Sequence, residues 1–174
     1  PHAQYLAPGS AHACGTEPPL WDEFNSASMS GAKEVLASVS DEEAAELVAY
    51  AQCQYDLEVR YTDDEFGRLM QFVPEDAVVV VTTDHGEQLY EHGGWAHGES
   101  PHYGETDSVI AVRLPGQDAH AVTDLTGHTD VIPILYRMLG WPESDAWTGT
   151  ASERELVSGW HQHNWEGKRG LMGY

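Results

Sequence analysis

The run from Ala77 to Thr83 constrains the fold more than any other feature, because it ends directly at an acidic residue and a histidine. Five apolar residues in succession begin at Ala77, which is typical of a strand covered on both faces, as in a parallel sheet between helices. Asp84 and His85 come next. Ligands of such sheets bind beyond the carboxyl ends of the strands, and a carboxylate beside an imidazole suits a cation. The pattern therefore predicts either a metal site here or an aspartate that caps the following helix.

Helical patterns lie on both sides of this strand in the sequence. Ser40 and Glu43 have the capping-box spacing that begins a helix, and apolar residues then recur every three or four positions to about Phe72. A second buried strand is predicted from Ser108 to Leu114, and a helix over 131–139. Helices around apolar strands indicate the α/β class, with a mostly parallel sheet flanked by helices.

The two ends of the chain carry weaker signals. Residues 1–31 are rich in Pro, Gly, Ser and Ala, with Trp21 and Phe24 as the strong apolar anchors, so a loop that lies over other structure is predicted there. Within residues 141–174 the tryptophans are scattered among polar residues, and a strand near 155–160 is the one element predicted. The sequence therefore indicates a main body followed by a weakly defined extension.

The charge of the chain limits its partners. Its 29 acidic residues against eight basic ones give a formal net charge of −21 over 174 residues, which disfavours nucleic acid and anionic membrane surfaces as partners. No apolar run is long enough to span a bilayer. Because the acids are spread along the chain and Lys is scarce, we expect a protein from a halophilic organism, in whose high-salt cytoplasm screening removes most of the self-repulsion.

The cysteines and histidines show no compact metal-binding motif. Cys14 and Cys53 form no Cys-x-x-Cys pair, so the sequence predicts neither a disulfide framework nor a structural zinc knuckle. Six of the ten histidines fall within residues 85–128, but their spacing does not match a His-Glu-x-x-His helix. We interpret three of the ten as surface residues without a function, namely His120, His161 and His163.

The run Val81-Thr-Thr-Asp-His-Gly-Glu-Gln-Leu-Tyr-Glu-His-Gly-Gly-Trp-Ala-His-Gly98 is far more specific as a whole than its parts. It resembles the sulfatase family of the alkaline phosphatase superfamily, whose members carry a strand, then Thr-Ser-Asp-His-Gly-Glu or Asp-Asn-Gly, then a loop with a Lys or a second His. Other segments resemble the family in the same order and extend the resemblance over about residues 1 to 140. They are Pro1–Tyr5, the set Tyr55, Asp63, Gly67 and Leu69, Val109–Gly116, and Gly127–Pro133.

The resemblance implies an alkaline phosphatase-like fold and a role for each matching residue. Asp84 and His85 correspond to two metal ligands of the family. His97 stands where the family usually places a Lys that contacts the ester, and His2 corresponds to a second contact with the same substrate oxygens. The implied cofactor is a divalent metal ion, with Ca²⁺ expected and Mn²⁺ or Zn²⁺ as alternatives.

The resemblance also defines what the chain lacks. Sulfatases use a formylglycine made from Cys or Ser in a Cys/Ser-x-Pro/Ala-x-Arg motif, and no Cys or Ser of this chain fits that motif. The family's early Asp-Asp metal ligands are absent too. We therefore expect residues 1–140 to be the carboxyl-terminal portion of a sulfatase-like catalytic domain, incomplete at the N-terminus. Residues 141–174 would be an extension. The missing N-terminal half of the same fold is an expected partner, and the chain alone should be a poor catalyst or inactive.

Three functions follow from these observations and stay open at this point. The first is a metal-dependent sulfuric ester hydrolase that acts on a small-molecule or glycan sulfate ester. The second is a phosphodiesterase or phosphoglycerol transferase of the same superfamily, since Asp-His-Gly also occurs there. The third is a non-catalytic metal-binding domain. The residue in the missing nucleophile position discriminates the first two. The cellular location is not predicted, beyond the expectation of a high-salt cytoplasm.

Overall fold

The computed structural model describes five helices and six short strands, and contacts between Cα atoms divide the chain into two compact units. The first unit contains Pro1–Glu75 and Gly86–Glu105, and the second contains Asp76–His85 and Thr106–Tyr174. The described residues are 7–9, 12–98, 100–118 and 126–149, together with the backbone of two strands at 160–163 and 169–172.

Three helices make up most of the first unit. They are α1 (Trp21–Ser26), α2 (Met29–Ser38) and α3 (Asp41–Met70). The predicted capping box of α3 is confirmed, because Ser40 Oγ accepts from the Glu43 amide and the Glu43 carboxylate accepts from the Ser40 amide at 2.9 Å. The Glu43 carboxylate also accepts from the Ser40 hydroxyl at 2.6 Å, and this bond, together with the one from the Ser40 amide, holds the pKa of Glu43 below its usual value. Among the helices of the described residues, none has both the length and the apolar composition needed to cross a membrane.

The apolar core of the first unit is built on aromatic contacts between these helices. The Trp21 and Tyr50 rings meet edge to face with centroids 4.9 Å apart, and the Phe24 and Trp95 centroids are 5.1 Å apart. Such contacts add about 0.5–1.5 kcal/mol to the burial of the rings. The prediction of a loop over residues 1–31 is wrong, since α1 and the start of α2 lie there. Two helices this short lack the long periodic pattern that reveals a helix in a sequence.

A disulfide joins Cys14 to Cys53, which lies on α3. The expectation of no disulfide framework therefore missed this bond. The Cα atoms of the pair are 5.8 Å apart although 39 positions separate them in the sequence. Packing of the loop that carries Cys14 against α3 creates this proximity, which the spacing of the cysteines does not reveal.

A small hairpin and a short helix complete the first unit. Strands β2 (Gln88–Leu89) and β3 (Trp95–Ala96) pair antiparallel, with Gln88 opposite Ala96 and Leu89 opposite Trp95. The Trp95 side chain is buried in the helical core. After the hairpin the chain forms α4 (Tyr103–Thr106), whose Glu105 is buried and belongs to this unit.

The second unit is built on a two-stranded sheet and one amphipathic helix. Strand β1 (Val79–Thr82) pairs with β4 (Ile110–Arg113), and Val80 lies opposite Val112. A 3₁₀ turn (His128–Asp130) leads into α5 (Val131–Met138), with Pro133 buried in its first turn as predicted. Gly140 ends this helix with a positive φ of 66°, which glycine adopts without strain. The last strands, β5 (Trp160–His163) and β6 (Arg169–Met172), pair antiparallel.

The sheet prediction is only partly confirmed. The described residues contain helices and strands as an α/β chain should, but the strand pairings among them are antiparallel. The predicted strand from Ala77 to Thr83 is shorter, and its residues are half-buried or exposed instead of covered on both faces. An apolar run predicts a strand. Whether that strand pairs parallel or antiparallel, and whether its faces are buried, depends on segments distant in the sequence. Residues 155–159 of the strand predicted near 155–160 lie outside the described part, and the described strand Trp160–His163 shares only Trp160 with the predicted range.

Candidate active site

Asp84 and His85 lie just beyond β1, separated from it by Thr83 alone, close to where the sequence predicts them. Two hydrogen bonds fix the chain just before them, because the Thr83 amide donates to the Val109 carbonyl at 3.1 Å and the Val109 amide donates to Thr83 Oγ1 at 3.0 Å. The Asp84 side chain is 85% exposed and that of His85 is 29% exposed. Both side chains are therefore presented at the end of a strand that β4 holds in place.

The donor atoms of this pair fit part of a cation site. Asp84 Oδ2 and His85 Nε2 are 3.7 Å apart, and two ligands that each lie about 2.0–2.5 Å from one divalent ion can have this separation. The His85 amide also donates to Asp84 Oδ1 at 3.2 Å, which orients the carboxylate. Within the described residues no cluster of three or more His, Cys, Asp or Glu side chains is suited to a metal. Two donor atoms are fewer than a divalent ion needs, so a metal held by this pair would require further ligands.

His128 contacts the end of the same strand, and the sequence did not predict this contact. Its Nε2 donates a hydrogen bond to the Thr83 carbonyl at 2.5 Å, one residue before Asp84. The 3₁₀ turn that carries His128 is fixed by Asp130, whose Oδ2 accepts from the Gly127 amide at 2.8 Å. The signal that pointed to this residue was its place in the segment Gly127–Pro133, which resembles the sulfatase family.

His97 lies in the first unit, in the loop that follows β3, where it is paired with Glu87. Its Nδ1 is 2.8 Å from Glu87 Oε1. The Glu87 side chain is only 3% exposed and the His97 side chain 31% exposed. A buried carboxylate thus holds one nitrogen of a ring that reaches the surface. The sequence predicted a role for His97 but none for Glu87.

A second buried carboxylate, that of Glu105, fixes the loop around His97. Glu105 Oε2 accepts from the Gly98 amide at 2.6 Å and from the Ser100 amide at 3.1 Å. Its other oxygen accepts from Ser100 Oγ at 2.7 Å and from Gln88 Nε2 at 2.8 Å. A buried carboxylate with four hydrogen-bond donors is well compensated for the loss of water. Glu105 therefore joins the hairpin to the loop that carries His97.

The pKa of Tyr55, which lies on α3, is raised in part by the charge of Glu87. Burial is the main cause that raises the pKa of the Tyr55 phenol, and the negative charges of Glu87 and then Asp56 raise it further. Tyr55 also belongs to the residues that resemble the sulfatase family. The phenol of Tyr55 therefore stays protonated to a higher pH than that of an ordinary tyrosine.

The structure brings together some of the predicted site residues. Asp84 and His85 are adjacent in the second unit, and His97 belongs to the first unit. His2 lies outside the described residues. Three further side chains contact these residues or the backbone beside them: Glu87, Glu105 and His128. Of the three, His128 also lies in a segment that resembles the sulfatase family.

Comparison with known protein families decides the family. The family model described as Sulfatase matches residues 1–141. The chain belongs to the sulfatase family. Sulfatases have an alkaline phosphatase-like α/β fold, act as hydrolases and generally use a divalent metal. A search of curated proteins and a search of solved structures found no match to the chain.

Proposed function

We propose that the chain carries part of the active site of a metal-dependent sulfuric ester hydrolase. The observation that carries this proposal is the Sulfatase family match over residues 1–141, since that segment contains Asp84, His85 and His97. The substrate would be a small-molecule or glycan sulfate ester. Residues 1–140 would be the carboxyl-terminal portion of the catalytic domain, and residues 141–174 an extension.

Asp84 and His85 would serve as ligands of a divalent metal. The exposure of the Asp84 carboxylate and its distance from the His85 ring support this role. A carboxylate is a hard oxygen ligand that suits Ca²⁺, while the imidazole is also compatible with Mn²⁺ or Zn²⁺, and we favour Ca²⁺. When bound, the metal would stabilise negative charge on the ester oxygens. The remaining ligands would come from other residues.

His97 and His2 would contact the oxygens of the ester. Cleavage of a sulfate ester develops charge on the leaving oxygen, and an imidazolium at that position can donate a hydrogen bond or a proton to it. The partly exposed ring of His97, backed by the Glu87 carboxylate, supports this role. His97 would replace the Lys that the family usually has here.

The nucleophile would come from a segment that precedes residue 1. No Cys or Ser of the chain lies in a Cys/Ser-x-Pro/Ala-x-Arg motif, so none of them is a candidate formylglycine. The same observation favours a second candidate function, a phosphodiesterase or phosphoglycerol transferase of the superfamily, because those enzymes attack with a Thr or Ser outside that motif. A metal-binding domain without activity is the third candidate.

Hydrolysis assays on the full-length protein test the proposal. We expect 4-nitrophenyl sulfate to be hydrolysed in the presence of Ca²⁺, EDTA to stop the reaction, and added Ca²⁺ to restore it. Faster hydrolysis of bis(4-nitrophenyl) phosphate than of the sulfate would instead identify the phosphodiesterase. Metal binding without hydrolysis of either ester would identify the non-catalytic domain.

A further inference from the structure

We infer that Glu87 is a positioning residue that holds His97 in one orientation and one tautomer for contact with the ester. This inference rests on the function proposed above. It concerns a residue that touches neither substrate nor metal and acts only through the His97 ring. Its basis is the 2.8 Å contact between Glu87 Oε1 and His97 Nδ1 and the near-complete burial of the Glu87 side chain.

The contact between Glu87 and His97 follows from the fold of the hairpin that lies between them. Gln88 pairs with Ala96 across β2 and β3. Glu87 immediately precedes β2 and His97 immediately follows β3, so the two residues flank the last pair of the hairpin. The pairing of the two strands therefore brings this carboxylate and this ring close together.

The backbone on both sides of the pair is also fixed. Gln88, which follows Glu87, and Gly98, which follows His97, both bind the buried carboxylate of Glu105, at 2.8 Å and 2.6 Å. Ala96, just before His97, has a positive φ of 68°, a conformation that persists in a non-glycine residue only where surrounding contacts enforce it. The residues on either side of Glu87 and His97 are therefore held by their own contacts, as placement of a reacting group requires.

The chemistry of the pair defines what each nitrogen does. An ionised carboxylate only accepts hydrogen bonds, so His97 Nδ1 carries a hydrogen and Nε2 is directed to the ester. When the nucleophile proposed above bonds to sulfur and the imidazolium gives its Nε2 proton to the leaving oxygen, the bond between that oxygen and sulfur breaks. The sulfuryl group stays on the nucleophile and a neutral alcohol departs. The neutral ring that remains has its hydrogen on Nδ1, which is the tautomer that Glu87 accepts. A carboxylate behind a catalytic imidazole fixes the tautomer in the same way in Ser-His-Asp enzymes.

Nuclear magnetic resonance on this chain tests the positioning role without any turnover. Long-range ¹H–¹⁵N correlations distinguish a ring hydrogen on Nδ1 from one on Nε2. We expect neutral His97 to carry its hydrogen on Nδ1 in the native chain, and to change to the Nε2 tautomer favoured by free histidine in Glu87→Ala. Glu46→Ala, which removes an exposed acid of the same unit, is the matched control and should leave the tautomer unchanged.

Kinetics on the full-length enzyme separate positioning from mere stabilisation of the loop. Removal of a proton donor from its place slows departure of a poor leaving group far more than departure of a good one. We therefore expect Glu87→Ala to lower kcat roughly 100-fold for phenyl sulfate and only about threefold for 4-nitrophenyl sulfate, with little change in KM. Equal losses on the two esters would show that Glu87 only supports the loop, and would overturn the inference.

A variant that keeps the side-chain shape guards against a folding failure of Glu87→Ala. Glu87→Gln has nearly the same volume, and its amide can accept from or donate to Nδ1, so we expect a mixture of tautomers and an intermediate loss of kcat. An Nδ1 tautomer that is unchanged in both variants overturns the positioning role. A native enzyme that cleaves no sulfate ester overturns the proposed function instead, and the tautomer measurement distinguishes the two failures.

Discussion

His128 Nε2 donates a hydrogen bond to the backbone carbonyl of Thr83 across 45 positions of sequence, at 2.5 Å. This bond connects the 3₁₀ turn before α5 to the end of β1, one residue before the carboxylate of Asp84. The position of the candidate metal ligands thus depends on a side chain that is distant in the sequence but belongs to the same unit.

Replacement of His128 should loosen the end of β1. We expect His128→Ala to lower the free energy of unfolding by about 1 kcal/mol, the value of one typical hydrogen bond, and to weaken Ca²⁺ binding because Asp84 becomes less ordered. Urea denaturation and calorimetric titration measure the two effects. His12→Ala, at an exposed position of the first unit, is the control and should change neither. Equal behaviour of the two variants would remove His128 from the site.

Reduction of the disulfide should destabilise the first unit. The bond between Cys14 and Cys53 closes a segment of 39 positions, and closure of a loop of this length restricts the unfolded chain by about 3–4 kcal/mol. We expect the Cys14→Ser/Cys53→Ser variant to lose about that much free energy of unfolding in urea. Dithiothreitol should destabilise the native protein similarly and leave the double variant unchanged. An unaffected native protein would contradict the pairing.

The raised pKa of Tyr55 predicts a loss of stability at alkaline pH. The unfolded chain ionises this tyrosine near its ordinary pKa of 10.0, whereas burial and the charge of Glu87 keep the folded form protonated to higher pH. Stability should therefore be full below pH 10 and decrease as pH rises through the raised pKa. Tyrosinate absorbance at 295 nm follows the titration. Tyr55→Phe should remove one high-pKa transition, and an identical titration in that variant would contradict the prediction.

The net charge predicts that the stability of the fold depends strongly on salt concentration. A chain with a formal charge of −21 repels itself, and molar salt shortens the screening length to about 3 Å. If the protein is halophilic, the midpoint of thermal unfolding should rise steeply between low and molar KCl. Sucrose at matched osmolarity is the control for effects unrelated to charge. A flat response to KCl would contradict the halophilic origin.

Signals confined to a few neighbouring residues predicted local structure well. The capping box of Ser40 and Glu43 gave the start of α3, and Gly140 gave the end of α5. Both signals depend on contacts within one turn of helix, so they can be recognised from neighbouring residues in the sequence. Trp21 and Phe24 were correctly predicted as anchors and are buried, although the helix that carries them was missed because it has only six residues.

Relationships between distant residues could not be predicted in the same way. The pairing of Cys14 with Cys53 and the contact of His128 with Thr83 depend on how whole segments pack. The antiparallel partner of β1 depends on which segment reaches it, a choice that an apolar run does not encode. Glu87 was missed as the partner of His97 because ten positions separate them, and only the hairpin between them brings the two residues together.

The most direct test of the central claim is a comparison of Asp84→Ala with Asp107→Ala in the full-length protein. Both variants remove one exposed carboxylate of the second unit, but only Asp84 stands beside His85 at the end of β1. Calorimetric titration with Ca²⁺ and hydrolysis of 4-nitrophenyl sulfate are measured for both. We expect Asp84→Ala to abolish metal binding and turnover, and Asp107→Ala to retain both. Native metal affinity and native turnover in Asp84→Ala would contradict it.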